Sequence, residues 1–256
     1  MTILSFINQK GGAGKTTTTL NVGAALYNKG YRVLLIDTDP QGNLTTAAGV
    51  QPQQVAEIPT VYEVLKSETD INDAIITTAA GYDVLPTDIR QSGAEIELAA
   101  AAGRDNILRE AISEIKTPYD YILIDCPPSL SIITIMALTA CNEVIIPIQG
   151  QYYALQGTRQ LMNTFNVIKK RLNPNIKICG VVVTIYDGRK LLDREILGNV
   201  REAFGDKVFN TQIRNNVSLA EAPAFGNDIF TYKPDSVGAA DYIALTDEII
   251  NRTTKE

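Results

Sequence analysis

Lys10-Gly11-Gly12-Ala13-Gly14-Lys15-Thr16-Thr17 places two lysines among glycines and hydroxyls, directly after the apolar run 3–7 and before a stretch of helical period. Such a segment can hold a phosphate chain. Glycines let successive backbone N–H groups turn inward around a β-phosphate, and the start of a helix adds partial positive charge. Lys15 is positioned to reach the β- and γ-phosphates, the Thr16 hydroxyl to ligate magnesium, and Thr17 to assist at the α-phosphate. The expected nucleotide ligands are therefore Gly11, Gly12, Ala13, Gly14, Lys15, Thr16 and Thr17. The expected substrate is ATP with Mg2+.

Two aspartate segments complete the chemistry. One apolar run ends in Asp37-Thr38-Asp39-Pro40-Gln41-Gly42-Asn43, another in Asp125-Cys126-Pro127-Pro128-Ser129. A carboxylate at a strand end beside a phosphate loop can hold the magnesium shell; Asp125 fits that role, and Asp37 is expected to share it. Asp39 is the candidate for orienting the attacking water, because phosphoryl transfer depends mainly on positioning and charge stabilisation.

These residues need a scaffold that brings loop ends together. Residues 3–7, 33–36, 82–85, 121–124, 144–148 and 178–185 read as strands, most of them continuously apolar, as expected when helices cover both faces of a sheet. Residues 15–29, 95–115, 154–171 and 190–204 read as helices, the first stopped by Gly30 and the last by Gly205. In 190–204, Leu192, Ile196, Val200 and Ala203 repeat at helical spacing, with Arg194, Glu195 and Arg201 on other faces. Residues 51–80, with Pro52 and Pro59, read as short helices and loops. Alternation of this kind predicts an α/β fold, a doubly wound and mostly parallel sheet flanked by helices, in one domain over 1–256.

Composition narrows the partners. Acidic residues exceed basic ones by 29 to 23, so any nucleic-acid contact must come from a local basic patch. The chain has no histidine, which removes imidazole acid–base catalysis and most zinc sites. Cys126, Cys141 and Cys179 lack metal-ligand spacing and read as buried free thiols in a reducing cytoplasm. Neither a signal peptide nor a spanning apolar stretch is read, so a cytoplasmic protein is expected.

The whole pattern resembles the deviant Walker-motif P-loop ATPases of the ParA/MinD group, and within it the short ParA or Soj type. The resemblance runs through 9–19, 33–43, 86–98, 119–129, 146–157 with Tyr152-Tyr153-Ala154-Leu155-Gln156-Gly157, Tyr186-Asp187-Gly188-Arg189, and 216–223. It implies that Lys10 reaches across an ATP-dependent homodimer to the partner's nucleotide, a lysine counterpart of an arginine finger. It also implies nonspecific DNA binding, nucleoid association in the ATP state, and a ParB-like or other adaptor that stimulates slow hydrolysis. Expected DNA contacts are Arg189, Lys190, Arg194, Arg201 and Arg214, and expected adenine contacts are Thr184 and the Ala222-Pro223 segment.

The chain departs from the family pattern at Ile213-Arg214-Asn215-Asn216-Val217-Ser218-Leu219, where chromosomal relatives commonly read Ile-Pro-Arg-Asn-Val-Arg-Leu. One arginine is replaced by Ser218, and another is displaced to Arg214. Gln151 and Gln156 stand where relatives often carry glutamates. A MinD-like membrane cycle is the alternative, but it calls for a basic amphipathic C-terminal helix, and 241–250 carries Asp241, Asp247 and Glu248. No membrane partner is expected. The N-terminal DNA-binding extension of long plasmid ParA proteins is not read here either.

Overall fold

The computed structural model describes residues 1–150 and 154–254; the side chains of 99 and 154–159 fall outside that description, and with them the expectations placed on Gln151, Tyr152, Tyr153 and the Gln156 side chain. Seven strands form one sheet: β1 Thr2–Phe6, β2 Val33–Asp37, β3 Ile76–Thr77, β4 Asp83–Leu85, β5 Tyr121–Asp125, β6 Glu143–Gln149 and β7 Lys177–Thr184. Their order is β3-β4-β2-β5-β1-β6-β7, all parallel except the β3–β4 edge pair. The predicted doubly wound sheet is present, and each predicted strand matches within a residue or two. Only the two-residue β3 was not anticipated, being too short to show a period.

Strand alternation sorts the side chains into two cores. Ile3, Ile7, Leu34, Ile36, Ile122 and Ile124 enter one, while Leu4, Phe6, Val33, Leu35, Tyr121 and Leu123 enter the other. Both faces are covered, so every residue of β2 and β5 is buried and the runs are continuously apolar.

The helices are α1 Lys15–Asn28, α2 Asn43–Ala47, α3 Pro52–Val55, α4 Val61–Leu65, α5 Ile71–Ala74, α6 Gln91–Glu97, α7 Ile107–Ser113, α8 Ile132–Ala140, α9 Ala154–Arg171, α10 Leu191–Phe204, α11 Val217–Glu221, α12 Ile229–Tyr232 and α13 Val237–Thr253. The excursion at 51–80 is indeed short helices. One expectation needs correction: 95–115 is not a single helix. The chain leaves α6 through a 3-10 turn at Leu98–Ala100, and Gly103 then takes a left-handed φ of 70°, which reorients the chain before α7. The short α2, α11 and α12 escaped the sequence reading, and so did two longer helices. Seven of the nine residues of α8 are buried, so it carries no polar stripe to reveal its period. The other is α13, which packs along α1.

Topology places the site. From β1 the chain passes to β2 on one side of the sheet, while β6 pairs with β1 on the other. The loop after β1 therefore opens at a switch point, at the carboxyl ends of the strands, where α/β sheets bind ligands.

Candidate active site

The loop between β1 and α1 is shaped by its glycines. Gly12 and Gly14 take φ of 73° and 80°, left-handed values that cost an L-residue with a side chain of order 1–2 kcal/mol. Gly14 is the N-cap of α1 and offers no capping side chain, which leaves the first-turn N–H groups for a ligand. Two side chains brace the loop. Asn8 accepts from the Lys10 N–H at 3.0 Å and donates to the Pro147 carbonyl at 2.6 Å, tying its start to β6. Thr184 Oγ1, at the end of β7, donates to the Ala13 carbonyl at 2.9 Å. The sequence reading missed Asn8, which has no motif signature.

Lys15 is the first residue of α1 and only 6 % exposed. Burial lowers the proton affinity of its ammonium, opposed by the negative charges of Asp125 and Asp39 nearby. A desolvated cation at the mouth of a helix N-terminus is arranged to meet an anion.

Parallel pairing sets the carboxylates. Asp37 stands opposite Asp125 in the β2–β5 register. Asp125 is fully buried and accepts from Thr16 Oγ1 at 2.7 Å and from Thr19 Oγ1 at 3.2 Å. Asp37 is also fully buried, but its oxygens are held from its own side: Oδ1 by the Asp39 N–H at 3.1 Å, Oδ2 by the Thr45 N–H at 2.8 Å and Thr45 Oγ1 at 2.7 Å. Burial raises both carboxyls above the usual carboxylate range, and for Asp125 the charge of Asp37 adds to this. Asp39 accepts the Gln41 N–H at 3.0 Å and lines the open cleft.

That cleft has a volume of about 690 Å³. Its lining joins the loop residues Gly11, Gly12, Gly14–Thr17 and Asp39 to Thr184, Ile185, 213–216, Leu219, Ala220, Pro223, Ala224, Leu20 and Tyr242. Polar loop groups together with aliphatic side chains suit a ligand with a phosphate chain and a base. Among the described residues no cluster of three or more His, Cys, Asp or Glu could cage a cation. The hydroxyl of Thr16 beside Asp125 is a sparse, hard-oxygen donor pair. It fits magnesium, which keeps waters and takes phosphate oxygens, better than a metal that needs a protein cage.

Comparison with known proteins agrees with this geometry. A family model described as an AAA domain matches residues 1–178. The sequence is 46 % identical over 248 residues to the sporulation initiation inhibitor protein Soj of Bacillus subtilis, covering 96 % of this chain and 97 % of that protein. It is 45 % identical over 253 residues to the chromosome partitioning protein ParA of Caulobacter vibrioides, covering 98 % and 94 %. The chain belongs to the ParA/Soj-type P-loop ATPases. Solved structures carry the same fold. A cobyrinic acid a,c-diamide synthase from Mycobacterium smegmatis, with bound ATP analogue and magnesium, superposes with a TM-score of 0.87 at 33 % identity, covering 100 % of this chain and 96 % of that one. The cell division ATPase MinD of Pyrococcus furiosus gives 0.78 at 31 % identity, covering 98 % of each.

The remaining expected residues of this ParA/Soj-type chain are dispersed. Arg189 is highly exposed and paired with Asp187 at 2.9 Å. Lys190 caps α10, and Arg194 and Arg201 are exposed along it. Arg214 lines the cleft, its backbone paired with Tyr186 and its guanidinium on Asp241 at 2.6 Å. Thr184 and Pro223 both line the cleft. Ser218 is buried under the Asn216 cap rather than displayed. The three cysteines are buried and free.

Proposed function

We propose that this chain is a magnesium-dependent ATPase of partition or positioning. ATP assembles a homodimer, the dimer binds DNA without sequence preference, and an adaptor that stimulates hydrolysis releases it, so that a plasmid, chromosome or protein cargo is moved over the nucleoid. The observation that carries this reading is the braced glycine loop with buried Lys15 and the Thr16–Asp125 pair at its base. The names of the relatives, a chromosome partitioning ParA and Soj, support the biological setting.

In this reading the loop N–H groups and Lys15 hold the β- and γ-phosphates. Thr16 and Asp125 hold magnesium, which when bound neutralises phosphate charge as it develops. Asp37 acts one step back, by folding 38–45 so that Asp39 faces the attacking water. Lys10, whose backbone is fixed by Asn8, serves the nucleotide of the second copy.

The proposed DNA face is the α10 edge. Lys190, Arg194 and Arg201 fall within about 40° of one another around the helix, while Glu195 and Glu202 lie on a separate stripe. With Arg189 beside them, they form a local basic strip on an acidic protein. A membrane cycle is disfavoured by α13, whose acidic side chains are engaged internally: Asp241 with Arg214, Asp247 with Lys29 at 2.8 Å, and Glu248 with the N–H groups of Asn210 and Thr211. Among the described residues no helix is long and apolar enough to cross a membrane.

The test is DNA retention with ATP, ADP or no nucleotide over a salt series. Retention should require ATP and fall steeply with salt, and Arg194→Ala should reduce the logarithmic salt slope by about 0.9. Lys10→Ala should bind ATP yet lose the rise of turnover with protein concentration. Nucleotide-independent retention, or an unchanged concentration dependence in Lys10→Ala, sinks the corresponding half of the proposal.

A further inference from the structure

The geometry points to Arg214 as a nucleotide residue: its guanidinium contacts the purine base in the cleft and is not part of the DNA face. This rests on the functional reading above and adds to it the residue that recognises the base.

Arg214 is held on every side. Tyr186 bridges to it in parallel fashion, donating its N–H to the Ile213 carbonyl at 3.0 Å and accepting from the Asn215 N–H at 3.0 Å. The Arg214 N–H donates to Asp241 Oδ2 at 2.9 Å. The side chain then returns to the same carboxylate, with Nε at 3.0 and 3.1 Å and one terminal nitrogen at 2.6 Å. Asp241 is buried, whereas the Arg214 side chain remains 54 % exposed. The carboxylate occupies one edge of the guanidinium and locks its plane, which leaves the other edge and the flat face for a ligand.

The surroundings specify that ligand. Arg214 lines the same cleft as Lys15 and Thr16, together with the aliphatic Ile185, Ile213 and Leu219. Ile185 has a φ of 54°, a left-handed value that is a genuine outlier for a β-branched residue. Such strain collects at ligand clamps, and here the flanking Tyr186 bonds hold it in place. The next residue of α13, Tyr242, reaches Thr18 of α1 at 3.2 Å, so the mount for Arg214 is fixed to the phosphate-loop helix. A locked guanidinium beside aliphatic walls suits the face and ring nitrogens of a purine. Arg189 is held by Asp187 in the same two-point way, yet its side chain is 91 % exposed and it does not line the cleft.

The experiment measures calorimetric affinity for ADP and for inorganic tripolyphosphate in the wild type, Arg214→Lys and the double variant Arg214→Ala/Asp241→Ala. Lysine keeps the charge on buried Asp241 while removing the planar fork, and the double variant leaves no unpaired carboxylate. The double variant should weaken ADP binding about three- to thirty-fold, the range of a cation–π contact, and Arg214→Lys should weaken it by less, while both leave tripolyphosphate unchanged. Thermal unfolding confirms that the variants are folded. Equal loss for both probes places Arg214 on the phosphates and overturns the assignment to the base. Wild-type ADP affinity in the double variant, with or without weakened DNA retention, overturns it entirely. A wild-type chain that binds neither probe overturns the ATPase reading as well.

Discussion

Asp37 and Asp39 are two residues apart, read from the sequence as a magnesium-shell and a water-orienting carboxylate, and the structure gives them opposite sensitivities. Asp37→Ala removes three hydrogen bonds to a buried carboxylate and leaves the N–H groups of Asp39 and Thr45 without an acceptor. At about 1.5 kcal/mol for each bond to a charged group, the loss is about 4–5 kcal/mol. Relief of burial and of the repulsion from Asp39 offsets part of it, leaving about 2–4 kcal/mol. At roughly 2–4 °C per kcal/mol for a domain of this size, the melting temperature should fall by about 5–15 °C. Asp39→Ala removes one bond, from the N–H of exposed Gln41, which water can replace, so it should cost about 1 kcal/mol or less. Hydrolysis should nevertheless disappear in Asp39→Ala while ATP binding persists. Calorimetric melting and ATP titration of both variants, beside a turnover assay, give the answer. If Asp37→Ala melts within 2 °C of wild type, as judged against the roughly 2–4 °C expected per kcal/mol, or if Asp39→Ala is the less stable of the two, the division of roles is wrong.

Two further outcomes follow from packing. Gly49 and Gly226 meet back to back: a Cβ on Gly49 would lie 2.8 Å from the Gly226 carbonyl oxygen, and the φ of Gly49 is 86°. Gly49→Ala should therefore cost about 2–4 kcal/mol, read by urea unfolding, and should loosen the contact between the segment after α2 and the wall of the cleft; a cost below about 1 kcal/mol contradicts the contact. Burial raises the Cys126, Cys141 and Cys179 thiols, Cys141 to about 12, so none should react with a thiol reagent at pH 8 in the native protein. All three should react in denaturant, and one fast native equivalent would show that a cysteine is accessible.

The phosphate loop, the strand-end carboxylates and the doubly wound sheet were legible because each rests on local chemistry. A glycine-rich turn between a strand and a helix reads the same wherever it is found, and buried parallel strands must be apolar throughout. The 95–115 stretch misled because its apolar residues kept a helical period across Gly103, whose left-handed φ breaks the helix in three dimensions. The α8 helix stayed hidden because burial on nearly every side erases the period that a surface helix displays.

Tertiary structure alone decided what each charged side chain faces. Sequence could place Asp37 and Asp125 at strand ends. Only the β2–β5 register set them opposite each other, and only the fold of 38–45 turned Asp37 inward and left Asp39 in the cleft. The same holds for Arg214, a basic residue in a basic-looking segment until Asp241, from a helix 27 positions later, locks its guanidinium beside the cleft. A charge is a property of one residue. Its partner is a property of the folded chain, because burial makes the nearest opposite charge decisive and the nearest one is rarely close in sequence.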